Sequence, residues 1–223
     1  MTRLNPQSSN RTLLVVGTVI AVVLIALVVF AARPGGSASG KSFNLAGQPF
    51  LGQENAKVSV VVFEDFKCPN CKNFEAGTMP TIQSKYVDTG KAKVYRINFP
   101  FIGPDSTTAA EAAECAYQQK GNDGYNQFAT LLFRAQGDEK TTWATASKME
   151  ELAGYVDGVD AAKFKTCLES EATKGQVDAD NAQATKAGIN STPNIFVNGA
   201  SVPYTGPEGT TPVLSAAIDK ALH

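Results

Sequence analysis

The sequence predicts one α/β domain in which a long helical block separates two small strand-containing units. A β-branched apolar run at 58–63 has the length and composition of a buried strand, and alternating apolar residues at 93–98 predict a second strand. Residues 106–188 are rich in alanine and follow a helical pattern. Two short extended segments, 194–198 and 201–204, come next. The predicted order is strand, helix, strand, helical block, strand, strand, helix.

An uncharged apolar segment, Thr12–Ala32, precedes this domain. As a helix it would span about 30 Å, which matches the hydrocarbon core of a bilayer. A cleavable signal peptide has a shorter apolar stretch, so we expect a retained transmembrane anchor at 12–32. Cleavage after a small residue such as Ala31 or Ala32 is the alternative, and it would release a soluble secreted protein.

The charges beside the anchor predict its orientation. Arg3, Arg11 and the amino terminus outweigh the single arginine that follows the anchor, so residues 1–11 are expected in the cytoplasm. Residues 33–42 have the composition of a flexible linker. We therefore expect the main domain, 43–222, on the extracytoplasmic or periplasmic side of the plasma (inner) membrane.

The composition argues against several classes of partner. Lys and Arg total 20, Asp and Glu total 21, and the main domain has no basic run, so nucleic acid is not an expected partner. Four cysteines are too few to staple a small scaffold, so the fold must rest on a hydrophobic core. We expect no metal and no organic cofactor, and, without an added dimerisation segment, a monomer.

The first predicted strand leads into Cys68-Pro69-Asn70-Cys71. Pro69 suits the first turn of a helix, because its missing N–H would be unpaired there anyway, and the helix is expected to continue to about Val87. An amphipathic pattern at 211–222 predicts the closing helix. Interruptions of the helical block are expected at three places: 121–124, Gly137 and 157–160.

The Cys68 and Cys71 pair is the candidate redox site. A thiolate, not a thiol, attacks a disulfide, and a helix N-terminus stabilises a thiolate through its unpaired N–H groups and positive dipole end. The spacing puts Cys71 one turn along the helix. Cys68 is therefore the expected nucleophile and Cys71 the shielded resolving thiol. Asn70 offers an amide donor, and Lys67 and Lys72 are expected to add positive potential.

Two other interpretations of this pair stay open from the residues alone. A CxxC can be half of a zinc site, and Cys115 and Cys167 would have to complete it because the one histidine is the terminal His223. Those two cysteines lie far apart, and each stands alone in a helical stretch. The pair could also be a purely structural disulfide. A strand that leads into CPxC and a helix, in an exported protein, is more specific to redox chemistry than the bare spacing.

With these features, the domain resembles the DsbA-like branch of the thioredoxin superfamily, in particular its membrane-anchored, four-cysteine members. The matching segments are Val58–Glu75, which contains the CPNC motif, and Gly188–Gly199, and the likeness covers about 43–222. The resemblance implies a thioredoxin-like α/β fold with a helical domain inserted at about 106–188. It also implies a thiol-disulfide oxidoreductase.

The resemblance assigns roles to further residues. The family position that matches Pro193 is a cis-proline facing the CxxC, and a cis Thr192–Pro193 peptide would present the Thr192 backbone to a substrate strand beside Cys68. An ordinary trans turn proline is the alternative. Related four-cysteine members tie the insert with a second disulfide, which implies a structural Cys115–Cys167 bond. A second redox pair that relays electrons is the alternative there.

The position of the buried acid departs from the superfamily pattern. Thioredoxins and many relatives carry this acid six residues before the first cysteine, where it can assist proton transfer at the resolving thiol, and here that position is Val62. The nearest acids are instead Glu64 and Asp65. Asp65 matches an acid of the anchored relatives, but the sequence leaves open which of the two serves, or whether both are solvated at a strand end.

The expected function is that of an extracytoplasmic dithiol oxidase, which introduces disulfides into exported proteins through Cys68 and Cys71. The resemblance suggests reoxidation by a quinone-linked membrane oxidase of the DsbB or VKOR type, and the anchor would concentrate both proteins in one plane. Two alternatives remain. One is a reductase or isomerase of the same fold, and the other is a non-enzymatic anchored binding domain whose cysteines are all structural.

Overall fold

A computed structural model describes residues 40–223. The predicted cytoplasmic segment, the predicted anchor and most of the predicted linker lie outside the described residues. Between residues 40 and 223, no helix is both long and apolar enough to cross a membrane. The whole of the predicted main domain, 43–222, falls in the described part.

A five-stranded mixed sheet forms the centre of the domain, with the spatial order β1-β3-β2-β4-β5. Its strands are β1 (Phe50–Leu51), β2 (Val58–Glu64), β3 (Ala92–Asn98), β4 (Asn194–Val197) and β5 (Ala200–Val202). β2 and β3 run parallel, and the other three neighbouring pairs are antiparallel. The sequence pattern predicts β2 to β5 but misses β1, because a strand of two residues carries no periodic signal.

The described residues contain seven α-helices, which cover the sheet and form the insert. They are α1 (Pro69–Gly77), α2 (Met79–Ile82), α3 (Pro104–Ala135), α4 (Ala146–Ala153), α5 (Ala161–Glu169), α6 (Lys174–Lys186) and α7 (Pro207–Leu222). The single helix expected from Pro69 to Val87 is wrong. It is divided at Thr78, and its last turn, Gln83–Val87, is a π-helix. Pro80 explains the division, because it has no N–H to bond to the carbonyl of Ala76.

The helices α3 to α6 form an insert between β3 and β4, as expected for the helical block. α3 bends at Gly121, whose positive φ of 58° favours glycine, so the interruption predicted at 121–124 is confirmed. A loop from Gln136 to Thr145 contains the predicted break at Gly137. The helical part of the insert runs from Pro104 to Lys186, close to the expected 106–188.

The two faces of β2 pack into different cores. Val58, Val60 and Val62 pack with residues of α1, α2 and α7, whereas Val61 and Phe63 pack on the opposite face. A strand that is buried on both faces reads as a continuous apolar run, which explains the sequence at 58–63. The insert has an apolar core of its own, and both cysteines of the CxxC belong to it. The CxxC therefore lies where the insert meets the sheet.

Candidate active site

Cys68 occupies the N-cap position of α1, with extended backbone angles of φ −73° and ψ 118°. Pro69 stands in the first turn, as predicted, and no side chain caps the helix. The carbonyl of Cys68 accepts the first helical hydrogen bonds, from the N–H of Cys71 at 3.1 Å and from the N–H of Lys72 at 3.2 Å. The positive end of the helix therefore lies at the Cys68 side chain.

The two sulfurs of the pair differ in acidity. The pKa of Cys68 is lowered from 9.0 to about 6 chiefly by a hydrogen bond from the Cys71 thiol, with help from backbone N–H groups of the first helical turn and against the opposing effect of burial. Burial raises the pKa of Cys71 well above its usual value, and the nearby charges of Cys68 and Glu64 add to this. At neutral pH Cys68 is therefore a thiolate and Cys71 a thiol.

The Thr192–Pro193 peptide is cis, as the resemblance implies, and it lies against the CxxC. The Cys68 thiol donates to the Thr192 carbonyl oxygen, with the sulfur and the oxygen 3.3 Å apart. The Thr192 hydroxyl is buried and has no hydrogen-bond partner within residues 40–223. This hydroxyl also lowers the pKa of Cys68. In the thiol form only the Thr192 carbonyl is bonded to Cys68, and the hydroxyl lowers the pKa because it is free to donate once the sulfur is a thiolate.

Glu64, at the end of β2, is the acid whose charge acts on Cys71. Its carboxylate accepts hydrogen bonds from the Arg96 guanidinium at 3.1 Å and 3.2 Å, and its side chain is almost fully buried. Burial raises the pKa of Glu64 to about 7, although Arg96 opposes this shift, and the charge of Glu75 raises it further. Glu64 can therefore gain and lose a proton near neutral pH.

The neighbouring acid, Asp65, has a different environment. One carboxylate oxygen accepts the backbone N–H of Lys67 at 2.8 Å, and the other accepts the N–H groups of Phe101 and Ile102 at 3.0 Å and 3.1 Å. Asp65 is buried and not solvated at a strand end, and its three bonds fix the loop between β3 and α3 against the segment that precedes Cys68.

Lys67, which the sequence predicts as a source of positive potential at Cys68, is paired with an acid of the insert. The Lys67 ammonium is buried in an ion pair with Asp105 at 2.6 Å, which takes up its charge. Lys72 Nζ lies 3.4 Å from the carbonyl oxygen of Gln136. Asn70 is exposed and acts on Cys68 through its backbone N–H and not through the side-chain amide that the sequence suggested.

The remaining cysteines, Cys115 of α3 and Cys167 of α5, are joined in a disulfide across 52 positions of sequence. This is the bond that the resemblance implies. A zinc site completed by these two cysteines is therefore wrong, because the bonded sulfurs have no thiolate to offer. Cys115 is fully buried in the apolar core of the insert.

Several residues that shape the site could not be found from the local sequence. Arg96 is a partial exception, because a charged residue within the apolar strand β3 indicates a buried partner of opposite charge. Glu75 lies 2.8 Å from the same guanidinium. Asp105 and Gln136 of the insert carry no such signal, because their partners are distant in sequence.

Comparison with known proteins identifies the family. The family model described as thioredoxin matches residues 44–220. The chain is 31% identical over 220 residues to the probable disulfide bond formation protein D of Bacillus anthracis, and the match covers 97% of this chain and 99% of that protein. The chain belongs to the DsbA-like family of thioredoxin-fold disulfide bond formation proteins. Disulfide bond formation protein D of Bacillus subtilis is 35% identical over 155 residues, with 70% of this chain and 69% of that protein covered.

The fold comparison agrees with this membership. The crystal structure of oxidised BdbD from Bacillus subtilis superposes with a TM-score of 0.75 at 30% identity, covering 82% of this chain and 97% of that chain. The expected thioredoxin-like fold with an inserted helical region is thus confirmed. The chain is a protein-disulfide oxidoreductase, and the alternative of a non-enzymatic binding domain is set aside.

Proposed function

We propose that this protein is an extracytoplasmic dithiol oxidase that introduces disulfides into exported proteins through Cys68 and Cys71. The observation that carries the proposal is the position of Cys68 at the N-terminus of α1 beside the buried Cys71, where the pKa of Cys68 is lowered from 9.0 to about 6. A stabilised thiolate favours the reduced pair, so the oxidised pair gives up its disulfide readily. At pH 7 the thiolate is favoured by about one pKa unit, the difference between the pH and the lowered pKa, so the pair becomes more oxidising by about 30 mV.

The reaction proceeds by two thiol-disulfide exchanges. A substrate thiolate attacks Cys68 Sγ, a substrate–Cys68 bond forms, and the Cys68–Cys71 bond breaks with its electron pair on Cys71. The second substrate thiol then loses its proton and attacks the first substrate sulfur, which releases Cys68 as the stabilised thiolate. Two electrons pass from the substrate dithiol to the cysteine pair, and the substrate leaves with a disulfide.

Glu64 is the proton donor to the leaving Cys71 in this scheme. Cys71 leaves as a thiolate in a buried position where its charge is unfavourable, so it needs a proton at once. Glu64 is buried, acts electrostatically on Cys71 and has a pKa of about 7, which suits transfer in either direction at neutral pH. Asp65, whose oxygens are occupied by three backbone N–H groups, is a structural anchor of the loop.

The backbone at Thr192 and Pro193 orients the substrate. An extended substrate segment beside Cys68 would pair with this backbone, as in recognition by strand addition. The attacking sulfur would then lie close to Cys68, whose contact with the Thr192 carbonyl marks that position.

The proposed location is outside the cytoplasm, with an anchor at 12–32 and a linker at 33–42. The Cys115–Cys167 disulfide supports an oxidising compartment, because such bonds are rare where cellular thiols are kept reduced. We propose a quinone-linked membrane oxidase of the DsbB or VKOR type as the protein that reoxidises Cys68 and Cys71. An anchor would hold both proteins in one plane.

The experiment that tests the catalytic assignment is a Cys71→Ser trap in cells. Without Cys71, a mixed disulfide at Cys68 can no longer be resolved from within the protein, so exported proteins and the membrane oxidase should accumulate on it. Non-reducing electrophoresis and mass spectrometry would identify them. A matched Cys68→Ser variant should trap nothing. Equal trapping by both variants, or none by Cys71→Ser, would contradict the assignment.

The direction of electron flow is tested by the redox potential. An oxidase should equilibrate with glutathione at a potential well above that of the glutathione couple. A potential near the glutathione or thioredoxin couple would instead favour the reductase or isomerase of the same fold.

A further inference from the structure

The loop 136–144, which follows α3, contacts the segment that carries Cys68. Gln136 Nε2 donates to the carbonyl oxygen of Phe66 at 2.7 Å and to that of Cys68 at 3.1 Å. The carbonyl oxygen of Gln136 accepts a hydrogen bond from Lys72 Nζ at 3.4 Å. One side chain of the insert therefore bonds to the backbone both before α1 and at its N-cap.

The other end of the same loop is held by the Lys67–Asp105 ion pair. Lys67 Nζ also donates to the carbonyl of Thr141 at 3.0 Å, and the second oxygen of Asp105 accepts the N–H groups of Trp143 and Ala144 at 3.0 Å and 3.2 Å. The loop is thus fixed to the Cys68 segment at both ends, so the position of Gln136 is well defined.

The backbone of Cys68 depends on a small number of restraints. Its N–H donates to the carbonyl of Asp65 at 2.9 Å, and its carbonyl accepts from two N–H groups of α1. No side chain caps the helix. The hydrogen bond from Gln136 links this carbonyl to a side chain of the insert.

We propose that Gln136 is a positioning residue for the attacked cysteine: its amide holds the Cys68 carbonyl and so orients the Cys68 sulfur at the N-terminus of α1. The inference rests on the proposed function, because it takes Cys68 as the sulfur that substrates attack. Gln136 acts through the Cys68 peptide group and not through contact with the sulfur.

The effect of losing this bond follows from the groups that stabilise the thiolate. The Cys68 thiolate is stabilised by N–H groups of α1, by Cys71 and by Thr192. Each of these hydrogen bonds requires the N-cap residue to keep its orientation. If the Cys68 peptide can rotate, these hydrogen bonds lengthen and the thiolate becomes less stable. The disulfide form then becomes a weaker oxidant.

The test compares Gln136→Met with the wild-type full chain. Methionine has nearly the same length but no donor. The pKa of Cys68 would be measured from the thiolate absorbance at about 240 nm of the reduced protein, and the oxidising strength from equilibrium with glutathione. We expect the pKa to rise by about half a unit or more, and the equilibrium constant for substrate oxidation to fall about threefold.

Gln119→Met is the matched control. Gln119 also makes two hydrogen bonds to backbone groups within the insert, donating to the Asp160 carbonyl at 3.3 Å and accepting the Asp160 N–H at 2.9 Å. Both of its hydrogen bonds go to Asp160 and neither to the CxxC, so this variant should lose stability without a change in the pKa of Cys68. A merely structural role for Gln136 would give the same result in both variants.

The outcomes separate this inference from the proposed function. A folded Gln136→Met protein with a wild-type thiolate titration and glutathione equilibrium would overturn the inference, and so would an equal shift in Gln119→Met. Folding is judged from far-UV circular dichroism, because Trp143, the one tryptophan of the chain, lies in the altered loop. If Gln136→Met does not fold, Gln136→Asn, which is one methylene shorter, is measured against the same criteria. If the wild type itself has no acidic thiol, the proposed function fails instead.

Discussion

The two cysteine pairs of this chain border the same apolar core and have opposite chemistry. Cys68 and Cys71 stand at the start of α1 as free thiols of very different acidity. Cys115 lies in the middle of α3, Cys167 lies in the last turn of α5, and the two are bonded to each other. The difference shows that the start of a helix, with its free N–H groups, makes a cysteine reactive, whereas the middle and the C-terminal turn of a helix offer no such groups.

A buried acid lies beside each cysteine pair, and the two acids differ in what their neighbouring cysteine can do. Glu64 has a pKa of about 7 and acts on Cys71, a thiol that must exchange its proton. Glu114, next to Cys115 in the sequence, has a pKa of about 8, raised by burial and by the charge of Asp180. Its bonded neighbour has no proton to exchange. We therefore expect Glu64 to affect the reaction rate and Glu114 to affect stability alone.

The largest expected effect comes from Cys68→Ser. Disulfide transfer to a reduced dithiol peptide should fall to the uncatalysed rate, because the serine oxygen cannot form the mixed disulfide. The double variant Cys115→Ala with Cys167→Ala should keep most of its activity if it is assayed well below its melting temperature. A folded double variant as inactive as Cys68→Ser would contradict the structural role of the second pair and would indicate a redox relay.

The same double variant should show the largest loss of stability. In the chain-entropy model, a bond that closes a loop of 52 residues stabilises the fold by about 4 kcal/mol, and native-state strain reduces this figure. Urea denaturation of the wild type and the double variant, with the pKa of Cys68 measured in both, would test this. A loss below about 1 kcal/mol, or a changed pKa of Cys68, would argue against a purely structural role.

Glu64→Gln should slow the first exchange step at pH 7 by about tenfold or more. In the wild type, Glu64 is protonated below its pKa of about 7, so its help to the leaving Cys71 should be lost as the pH rises through that value. The variant has no proton to give and should lack this pH dependence once the titration of the substrate thiol is allowed for. Stopped-flow kinetics between pH 5 and 9 would measure it. Glu114→Gln is the isosteric control and should keep the wild-type profile.

The smallest expected effect is on the pH dependence of stability. The folded-state pKa of Glu114, about 8, is above its ordinary value of 4.5, so the folded protein holds the proton more tightly than the unfolded chain. The stabilising contribution is complete below about pH 4.5 and is lost as the pH rises towards 8. Glu114→Gln should therefore lose less stability between these pH values, by about 1 kcal/mol or more. The free energy of unfolding of both proteins would be measured by urea denaturation at pH 5 and at pH 8.5. An equal loss of stability between these pH values in the wild type and in Glu114→Gln would contradict the prediction.

The sequence predicted the parts of the fold that depend on short-range patterns. The apolar run of β2, Pro69 in the first turn of α1 and the glycine at the bend of α3 each act within a few positions. The single helix expected through Val87 was wrong because Pro80, within it, has no N–H for the helical hydrogen bond. β1 was missed because two residues show no period.

The position of Cys68 at the start of a helix followed from the amino-acid sequence, since a strand, CPxC and a helical pattern follow one another directly. Packing set three other features: the burial of Glu64 against Arg96, the pairing of Lys67 with Asp105, and the hydrogen bond from Gln136 to the Cys68 carbonyl. The reason is physical: propensity and periodicity act over a few residues, whereas burial and ion pairing depend on segments that packing brings together from distant parts of the chain.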